Sequence, residues 1–168
     1  MSLRAKLTIL LVAGSVLAMG SCATGNVAVT DAEAVAIGDD GFSAVMNRGW
    51  ILSEIRAASQ TVILDRDNHV ELGFGDIFTL RFGDDRVYGI AMPNSFSGPF
   101  TLGAGRALTF GPMINTMMAA LMEQEEITEG EFLGFLSNVS GWDLVDGTLE
   151  LHTVTEYGTE TVLVFVGN

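Results

Sequence analysis

Few side chains in this sequence could do chemistry, and their spacing decides which chemistry is open to them. Asp65 and Asp67 would share one face of an extended segment, as paired carboxylates do in acid–base work or in a calcium loop. The calcium template fails, because His69 stands at its fifth position and Val70 where it needs a glycine. Asp65, Asp67 and Asn68 read better as a solvated turn. His69 and His152 are the only histidines; the first falls in that polar loop and the second on the polar face of a strand. With no H-x-x-x-H spacing and no cysteine nearby, neither a metal nor another cofactor is expected. No G-x-S-x-G elbow occurs, and Gly73-Phe74-Gly75 lacks the third glycine and the context of a phosphate loop. Met113, Met117, Met118 and Met122 cluster beside Pro112. Thioethers can bind soft cuprous ions or line an adaptable apolar groove, but the first reading is a core segment filled by flexible side chains.

The remaining reactive group is Cys22, the one cysteine of the chain. Arg4 and Lys6 precede an apolar run over 7–19, which ends at Met19-Gly20-Ser21-Cys22. As a helix that run reaches roughly 20 Å, short of a hydrocarbon core ~30 Å thick. It therefore reads as a cleaved export signal over 1–21 and not as a membrane span. Small residues directly before a cysteine resemble a bacterial lipobox, with Met19 standing where leucine is usual. That resemblance implies a lipoprotein: diacylglycerol on the thiol, cleavage before Cys22, and a fatty chain such as palmitate on the new amine. The alternative is an ordinary secretory signal followed by an incidental cysteine. Ala23 at the following position resembles the pattern that sends lipoproteins to an outer membrane, facing the periplasm, if the cell has two membranes.

Beyond residue 21 the chain holds all 21 acidic residues against six arginines and no lysine. A surface so acidic repels phosphate backbones, which excludes nucleic acid as a partner. It also repels anionic headgroups, so the membrane must be held through acyl chains on Cys22 and not through a basic patch. The length suffices for one domain with its own core, built without disulfides. Residues 22–47, with few aromatics and no sustained periodicity, read as the lipidated cysteine and a flexible tether. The domain proper is expected over 48–168.

Within that domain short strands dominate. Trp50 and Leu52 point to one side and Ile51 and Ser53 to the other, before the alternation breaks near Ile55. Thr61 to Leu64 is a second β-prone run. Phe78-Thr79-Leu80-Arg81-Phe82 alternates cleanly, Gly83-Asp84-Asp85 turns, and Val87 to Ala91 follows as its partner. Phe100 and Leu102, then Leu108 and Phe110, alternate around threonines. Trp142–Val145 meets Thr148–Leu151 across Asp146-Gly147, a two-residue loop of the kind that needs positive φ twice. Thr161 to Val166 closes the chain with Val162, Val164 and Val166 opposite Leu163 and Phe165. One valine row must then be covered by the helix, by a segment near Phe42 and Val45, or by a partner. Thr128 and Glu131 form a capping box ahead of Phe132, Phe135, Leu136 and Val139, one apolar helical stripe. Gly130 and Gly134 inside that helix suggest close backbone approach or tolerated weakness. The sum is an α+β fold: a strongly curved antiparallel sheet or partial β-barrel with one packed amphipathic helix.

Four segments in order resemble the META domain, the HslJ-like group of bacterial envelope proteins. They are the Trp50-Ile51-Leu52 strand, the Phe78–Phe82 and Val87-Tyr88-Gly89 pair, the stretch from Gly89 through Asn94 to Gly98-Pro99-Phe100, and the block from Leu108 to Ala119 containing Thr116-Met117. The resemblance covers about 48–166. It implies a compact β-rich fold and a place in the cell envelope or its stress response, without an established catalytic mechanism. Many relatives carry a cysteine where Pro93 stands and another after the threonine–methionine segment, so no thiol role carries over. The motif residues Gly89, Asn94, Gly98, Pro99 and Thr116 are expected to be structural, with Asn94 in a loop that caps one end of the barrel. Two function classes remain. The first is a non-enzymatic binding or scaffolding module that contacts an envelope protein or an apolar ligand. The alternative is an enzyme with a polar site in the Asn94 loop, which would gather titratable groups of displaced pKa in one cleft.

Overall fold

The computed structural model describes residues 41–118, 126–155 and 157–168. The expected signal over 1–21, Cys22, most of the tether and Met122 lie outside the described residues. Ten strands form one antiparallel sheet. They are β1 (Gly49–Ala57), β2 (Gln60–Ile63), β3 (Thr79–Phe82), β4 (Arg86–Ala91), β5 (Asn94–Leu102), β6 (Leu108–Phe110), β7 (Ile114–Asn115), β8 (Gly141–Val145), β9 (Thr148–Val154) and β10 (Glu160–Gly167). Helix α1 (Arg66–Glu71) follows β2, and α2 (Glu129–Ser137) precedes β8. The strand order is β6-β5-β4-β3-β1-β10-β9-β8, with β2 paired to β1 and β7 to β5. The two ends of this order curl toward each other. Leu108 N donates to Ser140 O at 3.3 Å, and Ala107 bridges Gly141. The expected curved sheet is therefore a nearly closed barrel.

The inward rows are those read from the pattern. Trp50, Leu52, Leu80, Phe82, Leu149, Leu151, Leu163 and Phe165 are buried. The break near Ile55 is a β-bulge: the β1–β10 register shifts between Leu52 and Glu54, which returns Ile55 to the interior. Residues ahead of the expected boundary at 48 also belong to the core. Phe42 and Val45 are buried, Val45 O accepts from Trp50 Nε1 at 3.0 Å, and Phe42 meets Phe82 and Trp142 edge-on at 5.1 and 4.9 Å. Phe132 of α2 does the same at the other ends of β3 and β5, against Phe78 and Phe96. One aromatic plug thus fills each end of the barrel.

Local signals held where they were complete. The Thr128–Glu131 capping box is present, and Asp146 and Gly147 both take positive φ between Val145 and Thr148. Three expectations need correction. Asp65 does not sit in an open turn; its side chain accepts from Asn68 N as the N-cap of α1. His69 is not in a polar loop. It is buried on α1, where Arg66 Nη1 approaches its Nδ1 at 3.2 Å and Glu126 lies 3.3 Å from its Nε2. Arginine cannot accept, so Nδ1 accepts and Nε2–H donates to Glu126. Burial holds the Arg66 guanidinium below its ordinary value, with Glu126 and Asp76 opposing. Third, side chains of the neighbouring strands, and not the helix or the segment near Phe42 and Val45, flank the centre of the valine row. Val164 is buried between Glu54 of β1 and Glu150 of β9, and Arg56 reaches both carboxylates at 3.0 and 2.7 Å. Hydrogen bonds to Glu54 and then Glu150 raise Arg56 further above its already high value.

The seam carries a pH-sensitive clasp. Arg106, just before β6, pairs with Asp143 of β8, and His152 Nε2 lies 2.9 Å from the other Asp143 oxygen. The His152 hydrogen bond, followed by Arg106, lowers the Asp143 pKa against opposing burial. A lowered folded-state value stabilises the fold above the ordinary carboxylate range and stops doing so as pH falls through the folded value. The clasp is partly exposed, so its contribution is at most about 1 kcal/mol. Wild type should therefore exceed Asp143→Asn in urea stability near neutrality, and the gap should close as pH falls through the lowered folded-state value of Asp143. A gap that persists in acid would mean that packing, not charge, holds the seam.

Candidate functional site

The sequence placed Asn94 in a loop. It is instead the first residue of β5, directly across from Ala91, with only Met92 and the cis-Pro93 between the strands. Its side chain is buried and makes four hydrogen bonds. Oδ1 accepts from Thr116 Oγ1 at 2.8 Å and from Met118 N at 2.7 Å. Nδ2 donates to Met118 O at 3.2 Å and to Glu129 Oε2 at 2.8 Å. Those bonds use the full donor and acceptor capacity of a carboxamide. The second Glu129 oxygen accepts from Asn115 Nδ2 at 3.2 Å, and Thr116 Oγ1 accepts from Ser95 N at 3.2 Å.

The network joins three elements that are far apart in the chain. Asn94 bonds both the N–H and the C=O of Met118, as a neighbouring strand would, and so extends the β5–β7 pairing past Asn115. Glu129, in the first turn of α2, ties the helix to the same carboxamide. Its charge also suits the positive end of the helix dipole. The product is a strap over 116–118 held by its backbone and by the Thr116 hydroxyl, with the Met117 and Met118 side chains facing outward. Met117 is 96 % exposed and Met118 60 %. Beside the strap lies a shallow hollow of about 510 Å³, whose far wall is Leu133 and Gly130 of α2.

Of the motif residues, Asn94 and Thr116 meet here; Gly89, Gly98 and Pro99 do not. A Cβ on Gly89 would strike the Thr79 carbonyl and the Phe96 ring, and one on Gly98 would strike Met113 Sδ. Pro99 packs on Gly111 and accepts its N–H at 2.8 Å. At these three positions the chain is closely packed. The methionines divide: Met113 packs against the core, while Met117 and Met118 face solvent. Sequence reasoning missed Glu129, Asn115 and Leu133 as site residues.

Chemically, the polar groups of this hollow are committed to one another. The groups with displaced pKa values (Arg56, Arg66 and Asp143) lie elsewhere, in three separate places. Among the described residues, that is the opposite of the convergence an acid–base centre needs. Among the described residues no group of three or more His, Cys, Asp or Glu side chains is placed to hold a metal ion.

The comparisons agree with this architecture. The family model for the META domain matches residues 43–167. A protein from Burkholderia xenovorans, solved by NMR, superposes with a TM-score of 0.56 at 22 % identity, over 83 % of this chain and 96 % of that one. A DUF4847-family protein from Bacteroides vulgatus superposes at 0.51 and 14 % identity, over 76 % of this chain and 97 % of that one. At these identities both show the fold alone. No curated protein matches the sequence. With the family model spanning the whole barrel and its helix, the chain belongs to the META-domain family.

Proposed function

We propose that this protein is an envelope lipoprotein, anchored through acyl chains on Cys22, whose META domain binds or scaffolds an apolar ligand or a protein partner. The observation that carries the binding half is the strap. The Asn94 side chain, held by Glu129, bonds the Met118 backbone and the Thr116 hydroxyl, while Met117 and Met118 stand exposed beside a hollow. Holding flexible apolar side chains out in water on a rigid base suits contact with adaptable partners. The anchoring half rests on Gly20-Ser21-Cys22 after a basic start and a short apolar run. Ala23 makes an outer membrane the destination in a two-membrane cell, with the domain facing the periplasm. A role in envelope stress follows from the META resemblance.

One experiment tests both halves. A photoreactive residue replaces Met117 in cells fed a labelled fatty acid, in wild-type and Cys22→Ser backgrounds. The wild-type background should carry label, partition into detergent and form discrete crosslinks. The Cys22→Ser form should lose the label and leave the membrane fraction. Equal membrane retention of the unlabelled form would remove the anchor. Absence of any discrete Met117 crosslink in the anchored protein would remove the binding reading.

A further inference from the structure

The hollow beside the strap has a counterpart across α2. A groove of about 390 Å³ runs between the helix and the end of β9, with Phe135, Val154 and Tyr157 as apolar walls. Gly130 lines both depressions, and Gly134 follows one turn later on the same face. Among the described residues a Cβ at either glycine would meet nothing within 4 Å, so no close backbone approach there requires them. They make the outer ridge of α2 a low saddle between two apolar hollows. Glu129 flanks the saddle on one side and Glu131 on the other, and no arginine lines either hollow. Two carboxylates outweigh the half charge at the helix N-terminus, which leaves the saddle negative.

We infer that this surface docks an extended segment of a partner protein that carries a basic residue between two apolar ones. The inference rests on the binding-module reading above and names the chemistry of the partner. An extended chain places side chains i and i+4 about 13 Å apart on one face. That spacing matches the width of a helix, about 10 Å, so one apolar side chain enters the Met117–Leu133 hollow and the other the Phe135–Val154 groove. The backbone crosses where Gly130 and Gly134 offer no side chain, and the central lysine or arginine comes between Glu129 and Glu131. The strongly acidic balance of the chain steers the same class of partner.

The test uses the full chain in nanodiscs of neutral lipid, with empty discs as the blank. The probe is a fluorescent leucine–serine–lysine–serine–leucine peptide capped by serines, followed by anisotropy at physiological salt. The control peptide has glutamate in place of lysine. The lysine peptide should bind at least about tenfold more tightly than its glutamate counterpart. Gly134→Leu raises the barrier on the saddle and should weaken binding by about tenfold, while its denaturation midpoint rises because leucine favours the helix. Glu131→Gln keeps the capping box and removes one charge, so it should weaken binding roughly threefold. Equal binding of the two peptides, or undiminished binding to Gly134→Leu, overturns the proposal. Self-association abolished by Gly134→Leu, without peptide binding, would assign the saddle to a second copy and overturn it equally. If the peptide fails while discrete Met117 crosslinks persist, only the partner chemistry falls; if both fail, the module reading falls with it.

Discussion

Phe132→Ala should cost about 3–5 kcal/mol of unfolding free energy in urea, the range for truncating a fully buried phenylalanine. The ring belongs to α2 yet sits within the barrel, fully buried. Its centroid lies 5.3 Å from Phe78 just ahead of β3, 6.0 Å from Phe96 on β5 and 6.4 Å from Phe165 on β10. Truncation leaves a void among three aromatic rings that are themselves pinned by strand pairing, so little collapse can refill it. Phe135, half-buried at the groove, is the control and should lose clearly less. A cost for Phe132→Ala below about 1 kcal/mol would show that the helix does not plug the barrel. Such a result would also undercut the strap, because Glu129 reaches Asn94 only while α2 is docked.

The parts of this fold that were legible in the sequence are those written within a few residues. Thr128 with Glu131 announces its own helix, and Asp146-Gly147 its own hairpin, because the partners are three residues apart or fewer. The alternation of Leu80 and Phe82 around Arg81 is equally local. What escaped was decided at long range. Asn94 looked like a loop residue because asparagine between proline and serine favours turns. Its real role depends on Thr116, 22 residues on, and Glu129, 35 residues on. His69 looked solvated among acidic neighbours, yet Glu126, 57 residues away, supplies the partner that lets it be buried. No periodicity encodes pairings of that kind.

The valine row of β10 shows a subtler failure. The pattern correctly said that Val164 could not stand in water, and β1 and β9 do cover it. It could not say that charged side chains would do so. Register decides that: Glu54 and Glu150 both fall opposite Val164, and Arg56 bridges them. The aliphatic stems of such residues shield apolar surface while their heads stay wet. An apolar strand face is therefore weak evidence for a docking site once its cross-strand neighbours are known. Methionines on a pinned strap are stronger evidence, since their own strand neighbours do not cover them.

Leu80→Ala should cost roughly 2–5 kcal/mol, and its neighbour Arg81→Ala no more than about 0.5 kcal/mol. Leu80 is buried at the middle of the sheet on β3, across from Trp50 of β1, and its side chain points into the barrel. Arg81 points out, across from Tyr88, and forms no ion pair among the described residues. Adjacent residues on one strand face opposite sides, so the pair of measurements reads the register directly. A strand slipped by one residue would exchange the two costs. Equal small losses at both positions would mean that β3 is not packed against a core at all. The expected contrast also requires cooperative unfolding under fully reducing conditions, since a core without disulfides must hold this leucine by packing alone. Chemical denaturation of both variants, with wild-type m-values as the check on two-state behaviour, decides between these outcomes.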